Sequence, residues 1–171
     1  VKAPEPRLRA AGRIVLAAID PDAAIPTLRE ALSSGNELEK QSAVGVMASV
    51  GKASADKALV NLVNMLRKDQ LPEFLRLDVV MAAESRAENL PELAETLKAY
   101  RSGWNDKDAL APYRDALVGG NAERGQRLFE QRLTIGCVRC HQINQEGGAV
   151  GPDLTKIGGE KSREYLLESL L

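Results

Sequence analysis

The sequence holds two cysteines and one histidine, and all three lie within five consecutive positions. They are Cys137, Cys140 and His141, in the segment TIGCVRCHQINQ. A structural zinc site needs about four ligands, which is more than these residue types supply. A thioredoxin-like redox pair would follow a strand in a βαβ unit, and no such pattern is visible. A cysteine nucleophile takes its histidine from a distant segment, and a coincidental buried pair leaves the adjacent histidine unexplained.

The interpretation that accounts for all three residues is the C-x-x-C-H pattern of c-type haem attachment. On one turn of helix, residues three apart lie on the same face, so both sulfurs can add to the two vinyl groups of one porphyrin. The next residue, His141, can then coordinate the iron through Nε2. The pattern therefore predicts one covalent haem c on Cys137 and Cys140, with His141 as the metal ligand.

The surrounding segment, GNAERGQRLFEQRLTIGCVRCHQINQEGGAVGPDL, resembles the N-terminal half of a class I cytochrome c. Gly125 and Phe129 correspond to the glycine and aromatic residue of that family's first helix, and GPDL to its Gly-Pro-x-Leu motif. The resemblance implies that Phe129 packs near the haem, that the Pro152 carbonyl accepts a hydrogen bond from Nδ1 of His141, and that Leu154 touches the porphyrin. It also implies that SREYLLESLL forms the helix lining the pocket.

The segment departs from the family in two ways. EQRLTIG looks like a short insertion before the cysteines, and the methionine that serves the family as sixth iron ligand is absent. We expect the three methionines, Met47, Met65 and Met81, to pack in the core of the preceding region. With a single histidine, intramolecular bis-histidine ligation is also impossible. We therefore expect a C-terminally truncated haem domain, carried on a piece of a longer protein, or a five-coordinate iron.

The composition is that of an ordinary globular protein, with 44% hydrophobic and 27% charged residues and a formal net charge of −1. This balance gives no electrostatic footprint for nucleic acid. No apolar run approaches the roughly 20 residues that a membrane span requires. Aromatic residues make up only 4%, and alternating β-branched runs are missing. The expected fold class is all-α.

Three apolar clusters, GRIVLAAI, VGVMASV and DVVMAAE, are each followed by a turn and a second helical pattern: IPTLREAL, LVNLVNML and LPELAETL. Taking Leu28, Leu62 and Leu93 as equivalent gives a period in the low thirties, which is typical of helical-hairpin repeats. Residues 6–102 resemble HEAT-type repeats, stacked because one hairpin cannot bury its apolar face alone. A plain antiparallel helical bundle is the alternative.

These patterns predict three parts. Residues 1–103 are the HEAT-like repeats, residues 104–120 a connecting helix or linker in which Trp104 plugs the junction, and residues 121–171 an incomplete cytochrome c-like domain. The combination resembles the C-terminal region of large bacterial exported proteins in which a dehydrogenase-like propeller precedes HEAT repeats and a haem c domain.

That resemblance implies an electron-transfer module, not an enzyme by itself, that passes electrons from an upstream dehydrogenase domain to a redox partner protein. It also implies a periplasmic or otherwise exported location. Two alternatives are open. One is a five-coordinate haem protein with peroxidase or small-ligand-binding activity. The other is a helical-repeat interaction scaffold whose haem motif is unoccupied.

Overall fold

In the computed structural model, residues 2–105, 107–131, 134 and 136–171 are described. Of the residues that the structure describes, 68% are helical and 2% lie in strands, so the all-α prediction is confirmed. It divides into two compact units, Val1–Gly119 and Gly120–Leu171. Part of the predicted insertion, EQRLTIG, lies outside the described residues. No helix in the described part of the chain is both long enough and apolar enough to pass through a bilayer.

Six helices build most of the first unit, and local signals set their ends. Proline occupies the first turn of three of them, where a missing N–H costs nothing. Asn36 and Glu39 form a reciprocal capping box, and Gly51 ends that helix in the left-handed region at φ 63°. The helices are α1 Pro6–Ile19, α2 Pro21–Ser34, α3 Glu37–Val50, α4 Ala53–Arg67, α5 Glu73–Ala87 and α6 Pro91–Arg101.

Each helix packs on the next one along the chain, and α3 also packs on both α1 and α5 while α4 packs on α6. Five of the six predicted helix centres lie within these helices, and the sixth, LPELAETL, begins one residue before α6. Met47 is fully buried, as predicted, and Met65 is half-buried against the core. Met81 is 48% exposed, so its predicted core position is wrong. Other large, fully buried side chains are Leu28, Val44, Leu59, Val63, Val79 and Leu93.

A buried carboxylate joins α1 to α3. Glu39 is 2% exposed and accepts hydrogen bonds from Arg9 at 2.7 and 2.8 Å and from Arg13 at 2.8 Å. The bond from Arg9 contributes most to holding the pKa of Glu39 at about 2, against the opposing effect of burial. Because two guanidinium groups and the Asn36 backbone N–H donate to the Glu39 carboxylate, this ion cluster fixes the register between the two helices.

The segment after α6 contains a 3₁₀ turn at Ala111–Tyr113 and a short helix α7, Asp115–Val118, which packs on α5. These two short elements stand where the predicted linker was expected, and the first unit includes them up to Gly119. Trp104 contacts Tyr100 edge-on at 5.6 Å between ring centres. The Tyr100 hydroxyl donates a 2.7 Å hydrogen bond to buried Asp115, which ties this segment to α6.

The second unit is made of short elements. It contains α8 Ala122–Gln131, a 3₁₀ turn Cys137–Arg139, a hairpin of β1 Gln142–Ile143 and β2 Glu146–Gly147, α9 Ile157–Glu160 and α10 Arg163–Glu168. The helix α8 contacts the 3₁₀ turn, and the turn contacts β2. These elements hold the cysteine and histidine residues that the sequence singled out.

Candidate functional site

The cysteine pair lies on a 3₁₀ turn that begins after Gly136, which is in the left-handed region at φ 66°. The Cys137 carbonyl accepts hydrogen bonds from the backbone N–H groups of Cys140 at 3.2 Å and His141 at 3.0 Å. Cys140 follows this turn as its C-cap, so the two cysteines stand one 3₁₀ turn apart in the backbone. Both thiols are free, with Cys137 half-buried and Cys140 exposed. The turn therefore presents two neighbouring nucleophilic sulfurs, as thioether attachment requires.

The imidazole of His141 is held by the loop that carries Pro152. Its Nδ1 lies 2.9 Å from the Pro152 carbonyl oxygen, which is the contact that the resemblance implies. A carbonyl oxygen can only accept, so Nδ1 carries the proton in this hydrogen bond and Nε2 retains its lone pair. The ring is thus presented in the tautomer that can bind a metal through Nε2.

Two glycines allow this second loop to lie directly on the cysteine turn. The Gly148 N–H donates to the Val138 carbonyl at 2.8 Å, and the Gly151 N–H donates to the Cys140 carbonyl at 2.6 Å. A Cβ at Gly148 would lie 1.9 Å from the Arg139 carbonyl oxygen, and one at Gly151 would lie 2.8 Å from two atoms of the His141 ring. The role of Gly148 was not predicted, because a close approach between separate segments leaves no local pattern in the sequence.

Hydrogen bonds join the Pro152 loop to the β1–β2 hairpin. The Leu154 N–H donates to the Gln142 carbonyl, and the Asn144 N–H donates to the Thr155 hydroxyl, both at 2.8 Å. Thr155 in turn donates to Asp153 from its hydroxyl and its backbone N–H, and these bonds lower the pKa of that carboxyl. Asp153 and Thr155 were missed, although an Asp two residues before a Thr is a sequence signal for such a turn.

The predicted apolar residues lie at two places in this unit. Phe129, half-buried on α8, borders a cleft of about 500 Å³ whose other apolar walls are Val138 and Ile143. Leu154 is half-buried in the loop beyond Pro152 and is held to the start of the hairpin. The structure thus gathers Cys137, His141, Pro152 and their neighbours into one loop pair, while Phe129 approaches from the helix that contacts the cysteine turn.

The exposed apolar side chains of this unit fit a large apolar cofactor that would cover them. None of its described residues is buried, and its exposed apolar side chains include Leu128 and Ile143, each 37% exposed, and Tyr165, 49% exposed. A unit as small as Gly120–Leu171 rarely builds a sufficient core from its own side chains alone. Among the described residues, no three histidine, cysteine, aspartate or glutamate side chains are arranged to hold a metal ion. Two thiols and one imidazole instead match covalent attachment of a macrocycle with one axial ligand.

Comparison with known proteins agrees with this geometry. Residues 122–170 match the family model of Cytochrome c. No curated protein and no solved structure matches the chain. The matched segment contains the cysteine turn, His141 and the Pro152 loop, and the match supports haem-binding electron transfer by this unit. The C-terminal part of this all-α chain is therefore similar to cytochrome c over residues 122–170.

Proposed function

We propose that the second unit carries one haem c, joined by thioether bonds to Cys137 and Cys140 and ligated at its iron by Nε2 of His141. When bound, the haem supplies a reversible one-electron couple between Fe(III) and Fe(II). The unit would therefore accept and donate single electrons without binding a substrate of its own. The family match over residues 122–170 supports the haem and the electron transfer.

The 2.9 Å contact between Nδ1 of His141 and the Pro152 carbonyl oxygen is the observation that supports this proposal most strongly. By accepting a hydrogen bond from the Nδ1–H group, the carbonyl makes the opposite nitrogen a better electron-pair donor and keeps the ring from rotating. A more basic imidazole favours Fe(III) over Fe(II), so this contact sets the potential as well as the orientation. A histidine that served only in packing would need no such fixed tautomer.

Phe129 and Leu154 have a supporting role in this proposal. Both are half-buried apolar side chains, and one borders the cleft beside the cysteine turn while the other follows Pro152. Apolar side chains around a haem limit the access of water, which raises the potential relative to an exposed haem. We assign them to covering the porphyrin, with no part in bond making.

We further propose that this unit serves a larger exported oxidoreductase. The repeated helical pairs of the first unit support a HEAT-like scaffold that places the haem unit next to its electron donor, an upstream dehydrogenase domain. The support for that donor is the resemblance of VGPDLTKIGGEKSREYLLESLL to the haem domain of such proteins. Haem c is attached outside the cytoplasm, which supports a periplasmic or otherwise exported location.

The test is a spectroelectrochemical titration of the protein exported in a host with haem c attachment machinery. We expect a single reversible one-electron transition in the unmodified protein. In His141→Ala the α-band spectrum of the ligated haem should be lost while the covalent haem is retained, and the neighbouring Gln142→Ala should behave as the unmodified protein. An unchanged spectrum in His141→Ala would contradict the assigned ligand. Rapid turnover of peroxide without a reversible transition would instead favour the five-coordinate alternative.

A further inference from the structure

The first helix leaves one apolar face uncovered. Leu8 is 59% exposed, Val15 56% and Ile19 78%, although α1 packs on α2 and α3 through its other side. With Gly12, these residues follow the spacing of one helical face, and we call them the stacking face of α1. A terminal helix of a repeat stack normally carries polar residues on its outer side.

The same positions are buried in α3. Both helices are 14 residues long, and aligning their first residues places Leu8 opposite Glu39 and Val15 opposite Val46. Glu39 is 2% exposed and Val46 8%. The helices α1, α3 and α5 pack side by side in that order, and we call them the row. Glu39 faces α1, the helix that precedes α3 in the row, because its carboxylate binds Arg9 of α1. In α3 this face therefore receives the preceding helix of the row.

The helix α5 repeats the arrangement. Five of the six buried positions of α3 recur as buried positions in α5 36 residues later, so Leu75 and Ala82 correspond to Glu39 and Val46 and are only 3% and 4% exposed. The opposite side of α3 meets the following helix, since the Gln41 side chain donates to the Phe74 carbonyl at 3.0 Å. Each helix of the row thus turns one face to its predecessor and the other to its successor.

Another exposed apolar residue of α1 serves as an internal control. Ile14 is 53% exposed, and its counterparts in the row are Gly45, which is exposed, and Met81, which is 48% exposed. This position faces solvent in all three helices, so the exposure of Ile14 needs no partner. The exposure of Leu8 and Val15, by contrast, is peculiar to α1.

We propose that the stacking face of α1 receives one more helix of the same row, carried by the polypeptide ahead of α1. The contact face of that helix is apolar, because Leu8 stands at the position where α3 has a buried glutamate that binds arginine. The α1 helix of a second copy cannot take this place in the same way. The side of α1 that would have to dock, formed by Ala10, Arg13 and Ala17, is already buried within its own unit.

The test compares Val15→Glu with Ile14→Glu in the natural full-length polypeptide and in the 171-residue chain, by following thermal unfolding of the helical unit. In the full-length protein, Val15→Glu should lower the melting temperature by about 5 °C or more, because it buries an unpaired charge, and Ile14→Glu should change it by less than about 1 °C. In the 171-residue chain, both variants should fold and melt within about 1 °C of the unmodified chain.

Equal melting temperatures of the two variants in the full-length polypeptide would overturn the proposal. Sedimentation of the 171-residue chain tests the alternative that a second copy of the chain covers the stacking face of α1. A dimer that Val15→Glu dissociates and Ile14→Glu leaves intact would show that a second copy covers this face, and would also overturn the proposal. The proposal is supported if the unmodified chain and both variants are monomers and Val15→Glu lowers the melting temperature of the full-length protein as expected.

Discussion

Replacing Gly151 with alanine would press a methyl group against the ring of His141. The new Cβ would lie 2.8 Å from both Cε1 and Nδ1 of the ring and 3.1 Å from the Cys140 carbonyl oxygen, whereas ordinary contact begins at 3.4 Å. The ring must therefore move by about 0.6 Å to regain ordinary contact, since the methyl group also meets the Cys140 carbonyl oxygen. The Nδ1 contact with Pro152, now at 2.9 Å, would then be stretched or lost.

Two measurable effects follow from this movement. Loss of the hydrogen bond together with the strain should lower the free energy of unfolding of the haem unit by about 1–3 kcal/mol. An imidazole without that bond is a weaker donor to Fe(III), so the midpoint potential should rise by tens of millivolts. A tenfold change in the relative affinity for the two oxidation states corresponds to about 59 mV.

Gly158→Ala is the matched control, because no described atom lies within 4 Å of the Cβ position at Gly158 in α9. Urea unfolding and a redox titration of the exported haem protein measure both effects. If Gly151→Ala matched Gly158→Ala in both its urea midpoint and its potential, the inferred positioning of His141 by the Pro152 loop would be refuted.

Two further predictions concern the network in each unit. Glu39→Gln should destabilise the first unit by about 3 kcal/mol at pH 7, because it leaves buried Arg13 without its carboxylate, while exposed Glu37→Gln should cost less than about 0.5 kcal/mol. Since the folded pKa of Glu39, about 2, lies below its ordinary 4.5, its contribution is complete above about pH 4.5. It is lost as the pH falls toward 2, and urea unfolding at pH 7 and pH 3 should show the difference between variant and parent shrinking. Thr155→Val should lower the stability of the haem unit by about 1 kcal/mol through the lost bond to the Asn144 N–H, and Thr155→Ser should restore it. A serine variant as unstable as the valine variant would show that the methyl group, not the hydroxyl, matters.

The helices of the first unit were predictable because apolar periodicity and turn residues act locally. The same periodicity misplaced Met81, since it shows which residues are apolar but not how wide an arc of the helix the neighbours cover. Only the packing of the row reveals that Met81 and Gly45 share a solvent-facing position. The stacking face of α1 was invisible for the same reason, because exposed and buried apolar residues look alike in sequence.

The haem site likewise has some features that the sequence predicted and others that it did not. The cysteine turn and the Pro152 contact were predictable because short motifs specify them. The β1–β2 hairpin was not predicted, since its strands have two residues each and its turn places Gln145 at a positive φ of 69°, where glutamine is uncommon. The close approach of Gly148 to Arg139 and the hydrogen bond between Asn144 and Thr155 join separate segments, and no local pattern encodes such contacts.

The central claim is that both sulfurs of the cysteine turn bind one porphyrin. Its most direct test is the intact mass, under denaturing conditions, of protein exported in a host with haem c attachment machinery. We predict a mass increase of one haem that survives acid and organic extraction and disappears when Cys137 and Cys140 are both replaced by serine. Exported protein with the mass of the bare polypeptide would contradict the claim, and with it the electron-transfer function.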